Sequence, residues 1–211
     1  EITQHSRPPA YRRPDDNLHV SDPSDVVVDG AGHLFVLSKQ PATIVHFDEA
    51  GKPTGSFNVS QERPTAMALT PDGQRLYVCG NLSNRLLELD TTSGKLSRAI
   101  DVGVAPYDVV LCGNKAYVSN WGGRRPGPDD LTGPAGRGTV VRVDPVRHIA
   151  SEGSVSVIDL EAGRVVREVL TGLHASGLAV SPDQRHLVCA NAGSDHLSEF
   201  ACRSGTSHYF Y

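Results

Sequence analysis

Several things are scarce in this sequence, and each scarcity excludes something. There is no surplus of positive charge: 20 Lys and Arg against 24 Asp and Glu leave a formal net charge of −4. That removes the electrostatic footprint of a nucleic-acid or anionic-membrane binder. No apolar run approaches the roughly 18 residues of a membrane helix, and Glu1 to Asp16 carry no apolar stretch of the secretory-signal kind. The four cysteines, Cys79, Cys112, Cys189 and Cys202, form no Cys-x-x-Cys pair and no zinc-like spacing. Three of them sit in apolar, strand-like runs, where a thiol acts as a small hydrophobe, and they leave the redox compartment open. There is no Gly-x-Ser-x-Gly elbow, phosphate-binding glycine loop or His-Glu-x-x-His helix, so no cofactor and no catalytic signature is expected. Aromatics make up only 6% of 211 residues, with one Trp.

Glycine and proline, in contrast, are plentiful at 21 and 14 residues, which implies many turns and short elements. With 38% hydrophobic residues the chain can still bury a core. The short elements recur. Alternating runs open at Pro23 (PSDVVVD), Pro64 (PTAMALT), Pro106 (PYDVVLC) and Ala175 (ASGLAVS), each followed by a Gly-, Asp- or Asn-bearing hairpin turn. Second strands follow as HLFVL, RLYVC, KAYVS and HLVCA, with Phe35, Tyr77, Tyr117 and Leu187 taken as the aligned positions. These stand 42, 40 and 70 residues apart. A third strand ends at Asp48, Asp90 and Asp159, and 29 surplus residues before Asp159 account for the long interval. The Asp is expected to open the next turn by accepting backbone N–H groups, with a Gly at positive φ, before a fourth strand. Four strands on a period near 40 predict an all-β propeller of four-stranded antiparallel blades, about four of them, in an incomplete, open arc.

The residues LYVCGN, AYVSNW and LVCANA, together with SVSVIDLEAGRVV and LAVSPDQRHLVCANAGSD, resemble the YVTN repeat of YncE-like β-propellers over roughly Pro23 to Asp195. The stretch from Ser119 to Leu160 is similar to one in large bacterial proteins that fuse such a propeller to an alkaline-phosphatase-like phosphoesterase domain. The resemblance implies a bacterial, periplasmic or extracellular protein, of which this chain is a part. No residue here matches a phosphatase metal or nucleophile motif.

The expected organisation is an extended segment at 1–20, then blades at about 21–60, 61–103, 104–172 and 173–200, and an irregular tail at 201–211. A loop at 121–153 is inserted in the third blade. The last blade breaks the pattern, with Phe200 counted at the position of the strand-ending Asp. A truncated or frame-altered terminus and a divergent cap are both compatible with that break. An open arc exposes sheet edges and invites self-association.

In such blades the entry to the first strand and the link between the second and third strands share a face, which gathers 62–64, 104–107 and 173–176 beside the insertion. Loops of that length are functional or disordered. Arg124, Arg125 and Arg137 could grip a phosphate or carboxylate, or pair with nearby acids. Trp121 could stack on a ligand or seal the loop root. Tyr107 and His174 lie on the neighbouring entry loops, and Asp144, His148 and His174 make a conceivable metal set. Two readings remain. One is a non-catalytic module binding a protein or a small anion. The alternative is a hydrolase, either lactonase-like or the remnant of a propeller–phosphoesterase fusion.

Overall fold

The computed structural model describes residues 20–59, 62–136, 138–202 and 207–210. Its regular elements are all strands, and no helix occurs among the described residues. The first sheet is β1 (Pro23–Val28), β2 (Leu34–Lys39), β3 (Ala42–Phe47) and β4 (Pro53–Asn58). The second is β5 (Pro64–Leu69), β6 (Arg75–Gly80), β7 (Arg85–Asp90) and β8 (Leu96–Asp101). In the third, β9 (Pro106–Cys112) and β10 (Lys115–Asn120) precede a small hairpin of β11 (Thr132–Pro134) and β12 (Val140–Arg142). That sheet resumes with β13 (Gly153–Asp159) and β14 (Arg164–Thr171). The fourth is β15 (Ala175–Val180), β16 (His186–Asn191), β17 (His196–Ala201) and β18 (Ser207–Phe210). All pairings are antiparallel and sequential, a propeller-like arrangement.

Period-two alternation explains the stacking, because each central strand sends its side chains to two neighbours. On β6, Leu76 and Val78 pack with Phe35, Leu37, Ile44 and Phe57 of the first sheet. Tyr77 and Cys79 of the same strand pack with Val109, Ala116, Val118 and Ile158 of the third. The third and fourth sheets meet through Tyr117, Val155 and Val157 against Leu187, Cys189 and Phe200. Each fully buried Leu or Val removes apolar surface worth about 1.5–3 kcal/mol from water.

The first strands add polar ties. A register shift near the start of β5 and of β15 takes the amides of Met67 and Leu178 out of the regular ladder. The carboxylates of Asp25 and Asp108, one sheet back, accept from them at 2.6 and 2.7 Å. Burial pushes both carboxyl groups above their ordinary range, against these hydrogen bonds.

The turn chemistry is as expected. Asp48, Asp90 and Asp159 each accept backbone N–H groups two to four residues on, at 2.7–3.1 Å. Gly51, Gly94 and Gly163 follow with φ of 75°, 66° and 64°.

Two expectations change. Strand pairing sets Val188, not Leu187, at the place of Phe35, Tyr77 and Tyr117, because Val188 faces Glu199 as Tyr77 faces Glu88. Ala201 then occupies the Asp position, and β17 forms without the Asp, since ladder hydrogen bonds do not depend on it. Second, residues 207–210, expected within an irregular tail, pair with β17 from Leu197↔Phe210 to Phe200↔Ser207 and complete the fourth sheet. The insertion, read as a loop and not a blade strand, lies outside the blades and carries a hairpin of its own, β11–β12, with Val141 buried at its centre. The segment expected at 1–20 falls outside the described residues except for Val20, which packs on Val45, Val36 and Phe47.

Candidate functional site

The four sheet entries share a backbone feature. Asp22, Arg63, Ala105 and His174 each stand immediately before a first strand, and each has left-handed φ, of 54°, 45°, 54° and 58°. That bend aims four repeat-equivalent side chains at one face. The residues just after the second strands, Gln40, Asn81 and Trp121, reach the same face.

Of these, Arg63, Ala105, Gln40, Asn81 and Trp121 line a cleft of about 590 Å³, joined by Lys39, Pro64, Thr65, Tyr107 and Ala135. Its floor is tied across two sheets, with Thr65 Oγ1 and Asn81 Nδ2 both donating to the Pro106 carbonyl, at 3.0 and 3.2 Å. Trp121 and Tyr107 remain 37% and 45% exposed, a large apolar offering for a surface.

Trp121 is held in place on two sides. Its amide donates to the Ala105 carbonyl at 3.1 Å. Its ring lies flat on the His174 imidazole, centroids 3.7 Å apart and planes 3° apart. Burial in that stack draws the His174 imidazole below its ordinary range, which favours the neutral ring. Beyond Trp121 a second cleft of about 600 Å³ runs under the insertion, bounded by His174, His148, Ile149, Val141, Val143 and Pro134 among others.

The arginines for which anion binding and pairing with nearby acids both stood open are engaged with the protein itself. Arg124 makes a two-pronged pair with Glu152 at 2.9 Å for each bond. Arg125 donates to the carbonyls of Val102 and Asn84 at 2.7 and 2.6 Å and to Asp101 at 3.1 Å. Arg142 joins Asp130 to Glu152. The Arg125 contacts fasten the insertion to the second sheet, and the others tie the insertion to itself. Arg137 lies outside the described residues.

Lys39 and Arg63 differ: among the described residues neither has an ion-pair partner, both are exposed, and both line the first cleft. Sequence reasoning missed them, although the repeat held a signal. Lys39 takes the place of Asn81 and Trp121, one residue past Ser38, which pairs with Pro23 as Asn120 and Asn191 pair with Pro106 and Ala175. Asn120 and Asn191 are buried and serve their own sheets. Asn120 Nδ2 reaches Ser154, Ser156 and Glu168 at 3.2, 2.8 and 3.0 Å, and Asn191 Nδ2 reaches Ser198 at 2.9 Å.

The conceivable metal set is not assembled. Asp144 caps its own turn by accepting from Val146 and Arg147 at 2.9 and 2.7 Å, bonds that hold its carboxyl below the usual range. His148 and His174 border the second cleft without it, and no group of three metal-ligating side chains occurs among the described residues. Thus Tyr107, Trp121 and His174 come together, while Arg124, Arg125 and Asp144 do not join them.

No family model and no curated protein matches the sequence. Among solved structures, the chain is similar to a functionally unknown protein from Desulfotomaculum acetoxidans DSM 771. That match is 13% identical with a TM-score of 0.64, over 90% of this chain and 55% of that one. It is also matched to Kuenenia stuttgartiensis hydrazine synthase, 22% identical with a TM-score of 0.48, over 92% of this chain and 68% of that one. The first likeness is one of fold, and this chain spans about half the length of that protein.

Proposed function

We propose that this chain is a binding module of a larger, YncE-like propeller protein, an open arc of four blades whose insertion-bearing face takes a small anionic ligand with a flat or ring-shaped body. Successive first strands pack in the order β1, β5, β9 and β15, and Val26 and Val28 on β1 stay more than half exposed, which supports the open arc. The carrying observation is the first cleft. It sets two cations without ion-pair partners, Lys39 and Arg63, beside the exposed rings of Tyr107 and Trp121, with Gln40 and Asn81 as polar neighbours.

Each part has a physical role. A volume of about 590 Å³ lies in the range of small-molecule sites. A carboxylate or phosphate entering it gains charge-assisted bonds without first breaking an internal ion pair. The Trp121 ring, already immobilised on His174, offers its apolar surface with little further loss of entropy on binding.

The single Trp is itself a reporter. Titration with aromatic carboxylates, sugar acids and sugar phosphates should change Trp121 emission for at least one class. Lys39→Ala combined with Arg63→Ala should weaken that response at least tenfold, and added salt should weaken it further. If none of the three classes moves the emission or the melting temperature at about 10 mM, far above the Kd of any specific site, the reading is wrong.

A further inference from the structure

The same joint recurs between consecutive sheets. The residue ending the first strand of one sheet meets the turn and the post-third-strand residue of the next. Between the first two sheets this joint brings together Asp29, Gly73 and Thr91. Thr91 donates through its amide to Gln74 and through its hydroxyl to the Gly73 carbonyl.

Between the third and fourth sheets the corresponding residues are Cys112, Gln184 and Cys202. Cys112 Sγ donates to the Gln184 carbonyl at 3.5 Å, and the Cys202 amide donates to the neighbouring Arg185 carbonyl at 2.9 Å. Tyr117 Oη donates to the Cys202 carbonyl at 2.6 Å, fixing that residue against the third sheet. The two thiols meet side chain to side chain inside one apolar cluster, 7% and 3% exposed.

From this placement we propose that Cys112 and Cys202 form a disulfide that staples the fourth sheet to the third. The oxidant would be a low-molecular-weight disulfide of the glutathione class. One thiolate attacks that oxidant, expelling one equivalent of thiol and leaving a mixed disulfide. The second protein thiolate displaces the other equivalent, so two protein thiols are oxidised and one oxidant molecule is reduced to two thiols. Burial pushes the Cys202 thiol up to about 12, which disfavours the attacking thiolate in the folded protein. The bond therefore forms while the last sheet is docking, and once made it is shielded from reductant. Cys79 and Cys189 sit in the interfaces with no thiol partner given by the same joint geometry, and they stay reduced.

The staple encloses most of the chain between the third and fourth sheets, where a cross-link strongly restricts the unfolded ensemble. Refolding with oxidised glutathione, then blocking free thiols in denaturant without reductant, should give a species with two blocked cysteines. Digestion should release a cross-linked peptide pair containing Cys112 and Cys202. Reduction should lower the melting temperature by about 5–15 °C, and Cys112→Ser should remove both the link and the redox dependence. Should Cys112→Ser fail to fold, Cys79→Ala with Cys189→Ala keeps the test open, because that protein must still form the link. Four blockable thiols after oxidative refolding, or a link through Cys79 or Cys189, would overturn the proposal. These readouts do not involve the ligand cleft, so its reading stands or falls separately.

Discussion

Two polar residues at the ends of second strands, Asn120 on β10 and Lys39 on β2, stand one repeat position apart, Ser38 being the counterpart of Asn120, and lead different lives. Asn120 is fully buried and holds Ser154, Ser156 and Glu168 together. Lys39 is exposed at the cleft with no ion pair among the described residues. The insertion makes the same point from the other side, since Arg124, Arg125 and Arg142 spend their charge on Glu152, Asp101 and Asp130. A polar residue's place at a strand end therefore does not fix its role. What matters is whether a partner already stands within reach.

Substitutions can break this contrast, and the largest effect belongs to Asn120→Ala. It removes a donor from a buried carboxylate and leaves a void, so we expect a loss of about 3 kcal/mol in urea unfolding. Glu152→Ala strands Arg124 and leaves Arg142 with Asp130 alone, and a loss of about 2 kcal/mol is expected by the same measurement. Lys39→Ala should instead leave stability within about 0.5 kcal/mol of wild type while weakening ligand-induced changes in Trp121 emission. If Lys39→Ala unfolds the protein as readily as Asn120→Ala, the contrast is false.

The smallest effect is a pH dependence. Burial raises the Glu168 carboxyl above its ordinary 4.5, outweighing the bonds from Ser154, Ser156 and Asn120. The folded state then binds its proton more tightly than the unfolded state. The contribution is fully present below about pH 4.5 and is lost as pH rises through the elevated native value. Unfolding measured from pH 4 upward should show this slope in wild type, and Glu168→Gln should flatten it.

The strands were legible because alternation and turn residues repeat together, and the Asp-opened turns of Asp48, Asp90 and Asp159 behave as their sequences imply. Legibility failed where pairing alone decides. Nothing local in Ser207–Phe210 marks a strand, since its partner is supplied by β17. The slip between Leu187 and Val188 arose from counting across an apolar run, which only cross-strand register resolves. At the site, Tyr107, Trp121 and His174 could be found because loop placement follows from topology. The partners of the arginines could not be named because Arg124 and Arg125 meet acids 28 and 24 residues away, separations that no local pattern encodes.

The bend before each sheet carries one more consequence. Left-handed backbone costs a side-chain-bearing residue roughly 1–2 kcal/mol, which glycine would avoid. Asp22, Arg63, Ala105 and His174 all accept that cost, and none is glycine. The sheet entries are thus a set of four repeat-equivalent sockets, each set by the same left-handed bend of the main chain. Swapping residues among them should retune what the face recognises without redesigning the scaffold beneath, although β-branched side chains would fit there poorly.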